Sequence, residues 1–208
     1  MNRKNRFARS LVTRMGLLGA LVFALTAMPA SAQATGATDV DITLPDIVIL
    51  HYFSNVDVTI TDTALGSFLT GTPGDSAVNE GTVAPLPGGF SQDLGMGPSA
   101  LTGDPSAALL VLQNAWAVRS ISLLGGANTQ LAIVVTDNLL ELSAGGPSIT
   151  ISSGTVNDGT SNGATITFAA PGLVNPQMGD VELTLDMSNA INAGEYVDGV
   201  FTLTATNI

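Results

Sequence analysis

Short runs in which apolar and polar residues strictly alternate, separated by turn residues, constrain this chain more than any other feature. Val181, Leu183 and Leu185 alternate with Glu182, Thr184 and Asp186; Val56, Val58 and Ile60 alternate with Asp57, Thr59 and Thr61. A period of two places one set on each side of a strand. Asp137-Asn138, Gly145-Gly146-Pro147 and the polar stretch 157–163 separate further runs at 131–135, 139–142, 149–151 and 164–169, the last with Ile166 and Phe168 on one face. Gly125-Gly126-Ala127-Asn128 is a turn that leads into the first of them. Strands at this near-regular spacing predict an all-β chain, an antiparallel β-sandwich, rather than parallel units with crossover helices.

Three stretches are less regular. Residues 47–53, Ile-Val-Ile-Leu-His-Tyr-Phe, form a continuous apolar run, and Ser54-Asn55 predicts a kink or turn before the alternation at Val56. Residues 107–113, Ala-Ala-Leu-Leu-Val-Leu-Gln, favour a short helix by propensity. From Asn114 the pattern suits a strand. Between 71 and 105 glycine and proline recur with no sustained period, which predicts either a long functional or crossing connection, with room for a short strand inside it, or an ordered surface loop without a function.

The first 32 residues read as a secretory signal. Arg3, Lys4, Arg6, Arg9 and Arg14 precede an apolar run from Met15 to Met28, and Ala30-Ser31-Ala32 supplies a small-residue cleavage site before Gln33. The apolar run is shorter than the roughly 20 residues a membrane span requires, so no span is expected after cleavage. Of the six basic residues, only Arg119 lies beyond the signal, against 17 acidic residues, so the processed chain carries a net charge of about −16. So acidic a surface repels nucleic acid and anionic lipid. Cysteine is absent, and an exported domain without disulfides must be held by core burial or by association. The roughly 176 residues that remain suit a single domain, given about 100–200 residues per domain. The expected organisation is a signal at 1–32, an extension at 33–46 and one sandwich domain at 47–208.

Residues 38–44, Thr-Asp-Val-Asp-Ile-Thr-Leu, open the processed chain. Val40, Ile42 and Leu44 fall on one side of a strand, Asp39, Asp41 and Thr43 on the other. Pro45 then interrupts the pattern. A strand at a free end with one apolar face is expected to be covered either by its own domain or by a neighbouring molecule.

Motifs that carry chemistry are sparse. His51 is the single histidine and stands inside an apolar run, with no Gly-x-Ser-x-Gly elbow elsewhere to supply a nucleophile; a strand histidine satisfied by its surroundings is the simpler reading. Thiolate metal sites are excluded. Gly95-Met96-Gly97-Pro98-Ser99-Ala100 matches a dinucleotide fingerprint in letters alone, without the strand, helix or βαβ context that gives it meaning. Asp158-Gly159-Thr160-Ser161-Asn162-Gly163 begins like a calcium loop, but Ala169 stands where the bidentate glutamate belongs. The carboxylates are scattered singly, so no acid–base pair is assigned. No catalytic residue, metal or cofactor is expected.

The two ends of the chain resemble the disulfide-free fimbrial subunits that chaperone–usher systems assemble in Gram-negative bacteria. The likeness lies in the signal, the alternating extension, and the closing stretch 193–205, in which Gly194-Glu195-Tyr196 precedes a final alternating strand. Its end, Thr206-Asn207-Ile208, departs from the aromatic ending of such subunits. The resemblance implies an antiparallel immunoglobulin-like β-sandwich lacking one strand, completed by the extension of the next subunit. Val40, Ile42 and Leu44 would be the donor residues. Phe201, Leu203 and Ala205, with Tyr196 at the entry to the strand, would belong to the acceptor groove. It further implies other copies of the chain as partners, a periplasmic chaperone, an outer-membrane usher, and a place at the cell surface. Two other readings are a monomeric exported binding module using the 71–105 connection and a secreted hydrolase built around His51.

Overall fold

The computed structural model describes residues 37–70, 78–83, 94, 99–123 and 128–208. Residues 43–208 form one compact unit, and the description below concerns that unit. Among the described residues its strands are β1 (Ile47–Thr59), β2 (Val78–Val83), β3 (Ala100–Asp104), β4 (Ala107–Ile121), β5 (Asn128–Asp137), β6 (Leu139–Glu141), β7 (Ser148–Asn157), β8 (Asn162–Gly163), β9 (Thr165–Ala169), β10 (Gly172–Asp186) and β11 (Val200–Asn207), with one helix, α1 (Asp62–Thr70). The architecture is an all-β antiparallel sandwich. A large sheet in the order β2-β1-β4-β10-β7-β6, with β3 on β4 and β8 on β7, faces a small sheet in the order β11-β5-β9.

β4 is the spine of the large sheet. β10 pairs along one edge, while β3 takes the first half of the other edge and β1 the second. The first half was expected to be helical from its Ala and Leu content. It is a strand because both its edges are occupied and Ala108, Leu110 and Leu112 alternate into the core; long-range pairing overrides a propensity difference of a few tenths of a kcal/mol per residue. A bulge separates the halves. Asn114 takes φ 50°, its N–H donates to Asp180 Oδ1 at 2.8 Å, and Trp116 Nε1 donates to Asp180 O at 2.9 Å.

Core side chains come from both sheets. Leu110, Leu112, Trp116, Val118, Ile151, Val156, Val181, Leu183 and Leu185 of the large sheet meet Leu131, Ile133 and Ile166 of the small one in a single cluster. Phe168 stacks on Trp116 across the gap, centroids 6.1 Å apart. Gly179 lies under the indole, where an added Cβ would come within 2.5 Å of a Trp116 ring carbon and collide with Asn157 O.

The kink expected at Ser54-Asn55 is present inside one strand. The β1 register with β2 shifts between Phe53 and Asn55, and the strand passes there from pairing with β4 to pairing with β2. β2 and β3 occupy parts of the 71–105 connection; residues 71–77, 84–93 and 95–98, which include the first four residues of the fingerprint-like motif, lie outside the described residues. The turn expected at 125–128 lies outside them too, except Asn128, which starts β5. Helix α1 has its signal in Thr61-Asp62. Thr61 Oγ1 accepts the Ala64 N–H at 3.1 Å as an N-cap, with Asp62 favourable in the first turn.

Candidate assembly surface

The small sheet stacks its inward residues in rows that run across the strands. Ala205, Leu131 and Ile166 form one row, Leu203 and Ile133 a second, Phe201 and Val135 a third. Phe201, Leu203 and Ala205 are half-buried and pack on the core cluster, whereas Thr202, Thr204 and Thr206 are exposed on the outer face. β11 ends the sheet, and its second edge has no strand partner among the described residues. Edge strands are normally protected by charge, proline or cover. β11 reads Val-Phe-Thr-Leu-Thr-Ala-Thr-Asn and carries neither a charge nor a proline.

Both ends of β11 make further hydrogen bonds. At the start, Thr136 Oγ1 donates to Val200 O at 3.3 Å. Asp198 takes φ 79°, and a Cβ on Gly199 would sit 2.8 Å from Leu140 Cγ. The strand therefore begins at Val200, later than the sequence pattern suggests. Tyr196 lies before it, partly buried in the connection, its hydroxyl donating to Asn192 O at 2.7 Å. Next to it, Val197 and Glu141 exchange backbone hydrogen bonds of 3.0 and 3.1 Å.

At the far end the Asn207 carboxamide ties β11 to β4, to β5 and to the segment before β1. Its Nδ2 donates to Ile121 O at 3.1 Å and to the Asp46 carboxylate. Its Oδ1 accepts from Thr129 Oγ1 at 3.0 Å, and Thr129 Oγ1 lies 2.5 Å from Ser120 Oγ. Thr129 and Ser120 are fully buried. Sequence reasoning missed this cluster. The only mark it left was the departure of the chain's last residues from the fimbrial pattern.

The donor candidates present a contrast. Residues 37–46 adopt no regular secondary structure, so the strand expected at 38–44 is not formed. An alternating segment becomes a strand only where a ladder satisfies its backbone. Val40, Ile42 and Leu44 are 71, 79 and 56 % exposed, an unusual state for three large apolar side chains spaced two apart.

The remaining candidates are engaged in structure. His51 is fully buried in β1 opposite Ala117, on the side of the large sheet away from the core. Ile49 and Arg119 pair directly and so share that side. Arg119, a cation that composition flags but whose place the sequence does not reveal, is buried and donates from one Nη to the Leu173 and Val174 carbonyls at 2.5 and 2.7 Å. It thereby holds the irregular entry of β10, where the register with β4 jumps between Gly172 and Gln177. In the calcium-like turn, Asp158 Oδ1 accepts the N–H groups of Thr160 and Ser161 at 2.8 and 2.6 Å. Glu182 accepts from Asn157 and Asn162 at 2.7 and 2.8 Å. Among the described residues no group of three or more His, Asp or Glu side chains is placed to hold a metal ion, and no helix is long and apolar enough to cross a membrane.

No protein-family model, curated protein or solved structure gives a significant match to the chain.

Proposed function

We propose that this chain is an exported structural subunit that polymerises into a surface fibre by donating residues 38–44 to the free edge of β11 on another copy. The observation that carries this reading is that β11 offers an uncharged edge and residues 38–44 form a strandless, exposed apolar segment of matching period. The inner rows of the small sheet stop at Phe201, Leu203 and Ala205. A donated strand would extend each row by one side chain, and Val40, Ile42 and Leu44 have the required spacing and hydrophobicity. Full burial of such a side chain is worth about 1.5–3 kcal/mol, enough for three to outweigh part of the cost of association. The outer residues Asp39, Asp41 and Thr43 would remain in water.

Strand addition between identical copies at two different surfaces is head-to-tail and does not close, so its product is a filament. An edge of this kind must be shielded until a subunit arrives, which gives a dedicated chaperone and an outer-membrane assembly partner a physical reason to exist. The strongly acidic chain disfavours nucleic acid and anionic lipid as partners.

The test is deletion of residues 33–44 with the signal retained. The exported protein should fold and accumulate without forming fibres by electron microscopy. Fibres indistinguishable from those of the parent would refute strand donation.

A further inference from the structure

Resting on the strand-donation reading, we infer that Asn207 is a positioning residue that joins the root of the donor extension to the end of the acceptor strand, so that occupancy of one is felt at the other. Asn207 is the last residue of β11, and Asp46 lies immediately before β1. One side chain connects them. Its two amide hydrogens go to Asp46 and to Ile121 O, and its oxygen accepts from Thr129. A carboxamide can donate twice, so both donors are used. The Ile121 and Thr129 contacts tie it to the ends of β4 and β5, which do not belong to the edge. The backbone of Ile208 adds a reciprocal pair with Asn128, at 2.9 and 3.3 Å.

The Asp46 contact has a different character. Asp46 is exposed, and Pro45 and Leu44 precede it directly. Holding the Asp46 side chain therefore sets where the extension leaves the domain. Proline at 45, with its fixed φ, passes that constraint to Leu44.

An edge strand hydrogen-bonded on one side frays most readily at its terminus. Were the last residues of β11 to open, Asn207 would move and Asp46 would lose its partner. A strand laid on the second edge of β11 suppresses the fraying, keeps Asn207 in place and so orders Asp46. The ordering cost of the donor root is then already met when the extension seeks the next subunit. Linkage requires the reverse as well: a subunit whose extension is engaged grips its own donor more tightly. The consequence is directional growth, in which a filled subunit is a better donor than an unfilled one.

The test uses the full exported chain carrying Ile42→Asp, which cannot donate and so offers an open edge, with a synthetic peptide of residues 38–44 as the probe. Peptide binding is read by fluorescence anisotropy and exchange at Leu44, Asp46 and Ile47 by hydrogen–deuterium exchange. With Asn207 and Asp46 intact, bound peptide should slow exchange there by about fivefold or more, the low end of coupling between sites. Adding Asn207→Ala should abolish that protection, and adding Asp46→Ala, an exposed change that leaves the buried Thr129 contact alone, should do the same. Both should still bind peptide, weaker by no more than the coupling factor. Equal protection with and without the Asp46 carboxylate, or no protection in the parent, would overturn the inference. Failure of the parent to bind peptide at all would instead refute strand donation.

Discussion

Two segments of this chain carry nearly the same pattern and meet opposite fates. Residues 38–44 place Val40, Ile42 and Leu44 on one side, and β11 places Phe201, Leu203 and Ala205 on one side. β11 has β5 along one edge and is a strand; residues 38–44 have no strand assignment and stay exposed. The difference teaches that alternation specifies a face and leaves the partner unspecified. A ladder partner turns one pattern into structure, and its absence leaves the other exposed.

The comparison can be broken most strongly from the β11 side. Leu203→Asp would bury a carboxylate beside Ile133 in the core cluster, at a cost of about 3 kcal/mol or more, so thermal or denaturant unfolding should show a large loss of stability. Ile42→Asp, the same chemical change on the unpaired segment, should shift unfolding by no more than about 0.5 kcal/mol, as for exposed sites generally, while abolishing fibres. If both variants lost stability equally, the two segments would be equivalent and the distinction false.

Arg119→Ala is a control within the fold. It removes a charged donor from two carbonyls at the β10 entry and should destabilise by about 2–3 kcal/mol, without a specific effect on assembly of the folded fraction. Thr202→Lys sharpens the comparison from the outer face. An added charge is an ordinary guard of an edge strand, so it should leave unfolding within about 0.5 kcal/mol and reduce fibre yield, measured by sedimentation.

The smallest effect concerns acid. Asp104 is held below its ordinary range by the backbone N–H and then the hydroxyl of Ser106, and Asp186 by the hydroxyl and then the backbone N–H of Ser188. These lowered values mean that the stabilisation is complete above the ordinary aspartate range and is lost as pH falls through the depressed values. Asp104→Asn should therefore flatten the acid limb of a stability–pH curve slightly and leave neutral pH little changed. The two turns are adjacent, since Met187 N donates to Pro105 O at 2.7 Å, so the pair should respond together.

Much of the sandwich was legible because each strand writes its burial into its own residues. Val181, Leu183 and Leu185 alternate in sequence and are buried in structure, and the kink at Ser54-Asn55 is where β1 changes partner. What was not legible is what depends on distant chain. Residues 107–113 look helical until β3 and β10 are placed beside them. The strand at 38–44 needed a ladder that its own residues cannot supply. The Asn207 cluster joins positions 46, 120, 129 and 207, each an unremarkable polar residue in its local pattern. The second edge of β11, without a strand partner among the described residues, was likewise invisible, because strand order is a property of the whole sheet.

The most direct test of strand donation uses the absence of cysteine. In the full chain, Thr43→Cys is combined in turn with Thr202→Cys, Thr204→Cys and Thr206→Cys, since these side chains would share the outer face of a completed sheet and neighbouring strands lie about 4.7–4.9 Å apart. Donation between copies predicts, for at least one pair, a disulfide-linked ladder on non-reducing electrophoresis that collapses to monomer on reduction. An internally cross-linked monomer in place of a ladder, or no cross-link in any pair, would contradict it.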